Sequence, residues 1–195
     1  MDETIIFRDG TSAHLSLERR VNPYAEGTFQ SGNDVRFPLS GYWTYSTISV
    51  TGFLCEDDQN IAITFPSYEA PVTGTVRFHD LSEPFHLSTQ KGHSNPVDGT
   101  WYFQEHYPAD TTGAHTLTGT LPIRQHGNLL LGFMNGSWQF GNGFTDGGVP
   151  RTCTLAGTIS GTTFNLWFLK GKFSSNFTWA TVKSGDLIGF GKKIR

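Results

Sequence analysis

Apolar and polar residues alternate along most of this chain in short runs, and glycine or proline cuts each run before a helix of several turns could form. The segments between the cuts are rich in Thr, Val, Ile, Phe, Tyr and Trp, the residues that fit a pleated, half-buried surface. The pattern predicts strands near 4–8, 13–18, 42–54, 60–65, 72–79, 84–89, 100–107, 115–124, 127–134, 137–141, 151–159, 162–170, 177–183 and 186–191, with little or no helix. Ser160-Gly161 reads as a tight turn joining the strands of a hairpin over Cys153–Lys170, and Lys183-Ser184-Gly185-Asp186 as a second such link. Residues 19–41 lack a period and contain Asn22-Pro23, Gly27, Gly32 and Pro38, so they are expected to form a long loop or arm over the rest. So many strands must close on themselves or split into two layers, because either arrangement removes unpaired edges. The fold class expected is all-β: a single antiparallel barrel spanning 1–195, with a β-sandwich as the alternative.

Three segments share one device: Ser40-Gly41-Tyr42-Trp43-Thr44-Tyr45, Asp98-Gly99-Thr100-Trp101-Tyr102-Phe103 and Asn135-Gly136-Ser137-Trp138-Gln139-Phe140. A small polar residue and a glycine suit a tight turn, and the Trp and the ring two positions on then share one face of a strand. Aromatics make up 14 % of the chain, which is a large filling for one barrel interior. The rings either plug a core or line a cavity. On the second reading Trp43, Trp101, Phe103, Trp138, Phe140, Trp167 and Trp179 are the candidate ligand-binding residues.

The words Gly99-Thr100-Trp101-Tyr102-Phe103-Gln104 and Leu117-Thr118-Gly119-Thr120 resemble the opening hairpin of the avidins, within the calycin superfamily that also holds the lipocalins. Phe164-Asn165-Leu166-Trp167-Phe168 and Thr178-Trp179 are similar to later avidin strands. The resemblance covers residues 97–195 and implies a calycin-like barrel with an open mouth. In avidins the position after Gly-Thr-Trp-Tyr holds the biotin ureido group with a polar side chain. Here it is Phe103, so the resemblance does not carry biotin binding across.

Charge narrows the function classes. Charged residues are 16 % of the chain and the net charge is −3, which leaves no basic field for a phosphate backbone, so nucleic acid is not an expected partner. No apolar run reaches the roughly 20 residues of a membrane helix, and Met1-Asp2-Glu3-Thr4 lacks the positive start of a signal peptide, so neither a membrane nor secretion is expected and the chain reads as cytoplasmic. Cys55 and Cys153 then read as free buried thiols.

His79, His86 and His93 recur every seven residues, an interval with no meaning in strands, so no metal and no other cofactor is expected. The chain has no Gly-x-Ser-x-Gly elbow and no Cys beside a recognisable base. Glu105 is the carboxylate of interest, because it shares a strand face with Trp101 and Phe103. If that face points inward, burial raises its pKa and equips it for proton transfer; if the strand has left the barrel, it is merely wet. Tyr45 and Tyr107 are the other polar candidates for catalysis.

The expected function is a barrel binding a small, largely apolar molecule, with a cofactor-independent cyclase or isomerase as its catalytic form. A carbohydrate-binding module with exposed Trp/Tyr platforms and a structural β domain are the alternatives. The partners expected are a small-molecule or glycan ligand and, for the structural role, further copies of the chain.

Overall fold

The computed structural model of the chain describes residues 1–55, 60–67, 72–110, 113–135, 139–140, 152–167, 169–184 and 187–195. Its first eight strands are β1 (Asp2–Phe7), β2 (Ser12–Arg19), β3 (Tyr24–Ser31), β4 (Val35–Trp43), β5 (Thr47–Phe53), β6 (Asn60–Pro66), β7 (Thr73–Phe78) and β8 (Leu81–Ser88). Each pairs antiparallel with the next, and β8 returns to β1, closing a barrel. The period-2 pattern sets its interior: Ala13, Leu15 and Leu17 of β2 are buried, as are Val35, Phe37 and Leu39 of β4.

The remaining strands are β9 (Gly99–Asp110), β10 (Gly113–His126), β11 (Leu129–Asn135), β12 (Gln139–Phe140), β13 (Thr152–Ser160), β14 (Thr163–Leu166), β15 (Leu169–Phe173), β16 (Trp179–Ser184) and β17 (Leu187–Lys193). They also run as a meander: β17 pairs with β9, and β10 pairs with β11, so a second ring closes. The long β10 carries β11 along its second half and β12 along its first, so β11 and β12 act as one interrupted strand. The architecture is all-β, but it comprises two barrels where the sequence pattern suggested one.

Residues 19–41 were expected to form an arm, but they supply β3 and most of β4 of the first barrel, since both strands pair along their length with their neighbours. Gly27 reads as a turn signal, yet it sits mid-strand because a Cβ there would lie 1.9 Å from the Ser16 carbonyl oxygen on β2. The turn itself needs only Gly32, at φ +62°. The segment 162–170 likewise divides, with Trp167 at φ +53° between β14 and β15.

The two barrels are joined through the β10–β11 hairpin. Its tip, His126-Gly127-Asn128, reaches the first barrel, where the His126 imidazole bonds to the Thr11 hydroxyl through Nδ1 (2.8 Å) and the Ser31 hydroxyl through Nε2 (2.7 Å). Asp9 accepts from the Gly127 and Thr11 amides and from Asn95, and Glu83 accepts from the Asn128 amide. Behind this polar rim, Leu129, Leu131 and Ala156 of the second barrel pack into the hydrophobic cluster of the first. Cys55 and Cys153 form a disulfide across the same junction, correcting the expectation of free thiols. Cys55 lies just after β5 of one barrel and Cys153 on β13 of the other, and their separation of 98 residues hides the pairing from any local reading.

Candidate functional site

The start of β9 is fixed before its side chains can be placed. Asp98 accepts hydrogen bonds from the amides of Asn95 and Gln125, and Gly99 adopts φ +149°, where a Cβ would meet the Arg195 carbonyl oxygen at 2.0 Å. From this anchored turn, alternation sends Trp101, Phe103 and Glu105 into the second barrel and leaves Tyr102, Gln104 and His106 on its outer wall.

Trp101 plugs the near end: its indole N–H donates to the Val97 carbonyl at 2.9 Å, and its ring lies 4.8 Å from Phe173 and 6.2 Å from Phe103. Glu105 lies further in, about 13 Å along the strand from Trp101 at the usual rise per residue. Its register partners are Leu117 on β10 and Gly189 on β17, so on one side its neighbour carries no side chain.

Glu105 is fully buried, at 0 % exposure, and among the described residues neither carboxyl oxygen has a hydrogen-bond partner. Burial pushes its pKa up to about 7, because the anion loses its hydration without gaining donors. A carboxyl in this state has two capacities: it is a strong acceptor for any donor that enters, and it can take or give a proton near neutrality.

Of the other candidates whose side chains are described, none stands beside it. Trp43 belongs to the first barrel, at the end of β4 and half-buried against that barrel's core, so its glycine device does not open a strand. Tyr45 follows it in the β4–β5 turn, 89 % exposed and on the other barrel from Glu105. Trp179 is half-exposed on the outer wall, with the Lys192 ammonium over its ring. Trp167 packs, partly buried, at the margin of the second core. Phe140 lies on β12, whose backbone pairs with Leu117, and Tyr107 continues β9. Trp138 lies outside the described residues. Thus Trp101, Phe103 and Glu105 are the candidates the fold places on one inward face.

A second constellation, absent from the sequence reading, surrounds His126. Burial holds this imidazole neutral, with its pKa down to about 4. Burial raises the Asp9 carboxyl, but the donors from Thr11, Gly127 and Asn95 outweigh it and hold the group below its ordinary range. Beside this junction runs a cleft of about 520 Å³ lined by both barrels, with His14, Gln30, Lys91, Asp98 and Arg124 on its walls. Arg124 is tied to Asp34 at 2.6 Å. His126 had one sequence signal, the His-Gly-Asn break before a strand, which marks a turn without saying what the turn plugs. His79, His86 and His93 are exposed, and among the described residues no group of three His, Cys, Asp or Glu is placed to hold a metal.

No family model matches the chain, and no curated protein matches it. Among solved structures, the Helicobacter pylori beta clamp bound to a DNA ligase peptide aligns over 100 % of this chain and 66 % of its own length, at 8 % identity and a TM-score of 0.19. The chain thus spans about two thirds of that protein, and a score so low carries no argument about fold or function.

Proposed function

We propose that the second barrel binds a small, largely apolar molecule whose polar end donates hydrogen bonds to Glu105. One observation carries this reading: a carboxyl at 0 % exposure with both oxygens unpartnered among the described residues. An unsatisfied buried acceptor costs on the order of 1–3 kcal/mol, and more when charged, so its retention points to a partner supplied from outside the chain. The surroundings set the rest of the ligand. Phe103 precedes Glu105 on the inward face, and Val182, the cross-strand partner of Gly189, is level with it; both belong to one apolar cluster, which favours hydrocarbon or aromatic surface over sugar hydroxyls.

The catalytic form of this reading gives Glu105 the role of proton acceptor and donor in a cofactor-independent isomerisation or cyclisation, with the barrel wall folding the substrate. The carbohydrate reading would use Trp179, Phe190 and Tyr102 on the outer wall. Their rings are tilted by 47° and 52°, and Lys192 covers a face of Trp179, so they offer no flat platform.

Native mass spectrometry and thermal shift against apolar alcohols, amides and amines, with simple sugars alongside, test the reading. Stabilisation by members of the apolar set, weakened in Glu105→Gln, is the expected result. A response to sugars alone, or equal binding by wild type and Glu105→Gln, would overturn it.

A further inference from the structure

Resting on that reading, we propose that the ligand of the second barrel is an organic ammonium ion, an apolar body carrying a protonated amine that pairs with the Glu105 carboxylate. Among the described residues the two oxygens of Glu105 are both unpartnered, and an alcohol brings only one donor. A primary ammonium brings three, enough to serve both oxygens at once, and it cancels the buried charge instead of leaving it in an apolar cluster. The hydrogen bonds so formed are charge-assisted, the stronger kind.

The walls point the same way. Phe103 sits two residues from Glu105 on the same inward face, with Trp101 beyond it, and the negative faces of such rings attract cations. Among the described residues no lysine or arginine is buried, so none of them is an internal cation that competes for the carboxylate. The register partner on β17 is Gly189, where a Cβ would meet the Gln104 carbonyl oxygen at 2.3 Å, so the two strands pack backbone to backbone beside Glu105 and a ligand must approach the carboxyl from the barrel interior. A bare metal ion fits poorly by comparison, since hard cations ask for six or more oxygen ligands and among the described residues no group of three His, Cys, Asp or Glu is placed to hold one.

The balance of the step is simple. The amine enters protonated, Glu105 is ionised in the complex, and any proton it held in the free protein is released to solvent. Matched pairs separate this inference from the broader reading: phenethylamine against 2-phenylethanol, and tryptamine against tryptophol, titrated calorimetrically into wild type and Glu105→Gln at about pH 8, where alkyl amines remain protonated.

In wild type the amines should bind about tenfold or more tightly than their alcohols, and in Glu105→Gln that preference should fall to within about threefold. Alcohols binding as tightly as amines would overturn the ammonium inference and leave the interior site standing. Binding of neither kind would overturn both. A wild-type preference for amines that persists in Glu105→Gln would move the ammonium away from this carboxyl and so refute the proposal. Far-ultraviolet circular dichroism of Glu105→Gln, expected to match wild type, guards against loss of the fold.

Discussion

The imidazole of His126, carried on the second barrel, stacks on the Phe7 ring of the first with centroids 4.3 Å apart and planes 18° from parallel. The contact explains why the hairpin tip is polar at its edge and aromatic at its centre. The ring covers apolar surface at the end of the first barrel while both nitrogens meet hydroxyls, so a titratable group is buried without an unpaired donor or acceptor.

His126 and Glu105 give the stability of the protein two opposed pH dependences. Glu105 has its folded pKa raised from 4.5 to about 7, so the folded state holds a proton that the unfolded state has lost. Its contribution is greatest below pH 4.5 and declines by roughly 3 kcal/mol as pH rises to 7. His126 has its folded pKa lowered from 6.5 to about 4, so its contribution is complete above pH 6.5 and declines by a similar amount as pH falls to 4.

Between pH 4.5 and 6.5 the two slopes cancel. Asp9 draws the His126 proton on and Arg124 repels it, while Thr11, Ser31, Phe7 and Phe29 complete its surroundings. Denaturant unfolding across this window should therefore show the largest differences in the variants: Glu105→Gln gains on wild type as pH rises, and His126→Gln gains on wild type as pH falls. Parallel pH profiles for the three proteins would contradict both assignments.

Gly127 and Gly161 share φ +59° but not their surroundings. A Cβ at 127 would lie 2.2 Å from a Glu83 carboxyl oxygen, whereas at 161 nothing stands within 4 Å. Gly161→Ala should cost only the backbone strain, about 1 kcal/mol, while Gly127→Ala should cost at least 2 kcal/mol because it also pushes Glu83 off the Asn128 amide. Equal melting temperatures for the two variants would contradict the packing described for the hairpin tip.

The Cys55–Cys153 bridge closes a 98-residue span between the barrels, in parallel with the hydrogen bond from the Cys55 amide to the Thr154 carbonyl. Replacing both cysteines by serine should lower unfolding stability by about 2–5 kcal/mol. Since the hairpin contacts stay in place, the far-ultraviolet circular dichroism should not change. A reducing agent should produce the same loss in wild type and none in the double variant, as read by denaturant midpoints.

Strand content was legible because alternation is local, and the order of the pairings followed from short turns such as Ser160-Gly161. The count of barrels was not, because it depends on whether Gly27 and Pro38 break a strand or lie within one, and the answer is set by the neighbouring strand at Ser16 and Thr28. Gly99 and Trp101 do open a strand, β9, because the glycine turn there is a local signal.

That Trp101, Phe103 and Glu105 share one face could be read from spacing alone; that the face points inward could not, because it depends on closure of the second barrel. The isolation of that face from Trp43 and Tyr45 could not either, because that separation arises from closure of the first barrel at β8. The His126 contacts and the disulfide join residues 95 to 115 positions apart, beyond the reach of pattern.

The titration of Glu105 itself bears most directly on the interior site. Carbon-detected NMR of labelled glutamate carboxyls, with the Glu105 signal assigned by its loss in Glu105→Gln, should show a midpoint near the value of about 7 that burial imposes. Addition of phenethylamine should move that midpoint down as the ammonium holds the ionised form. A midpoint at the ordinary glutamate value of 4.5, unmoved by amine, would mean the carboxyl meets water and would contradict the interior site.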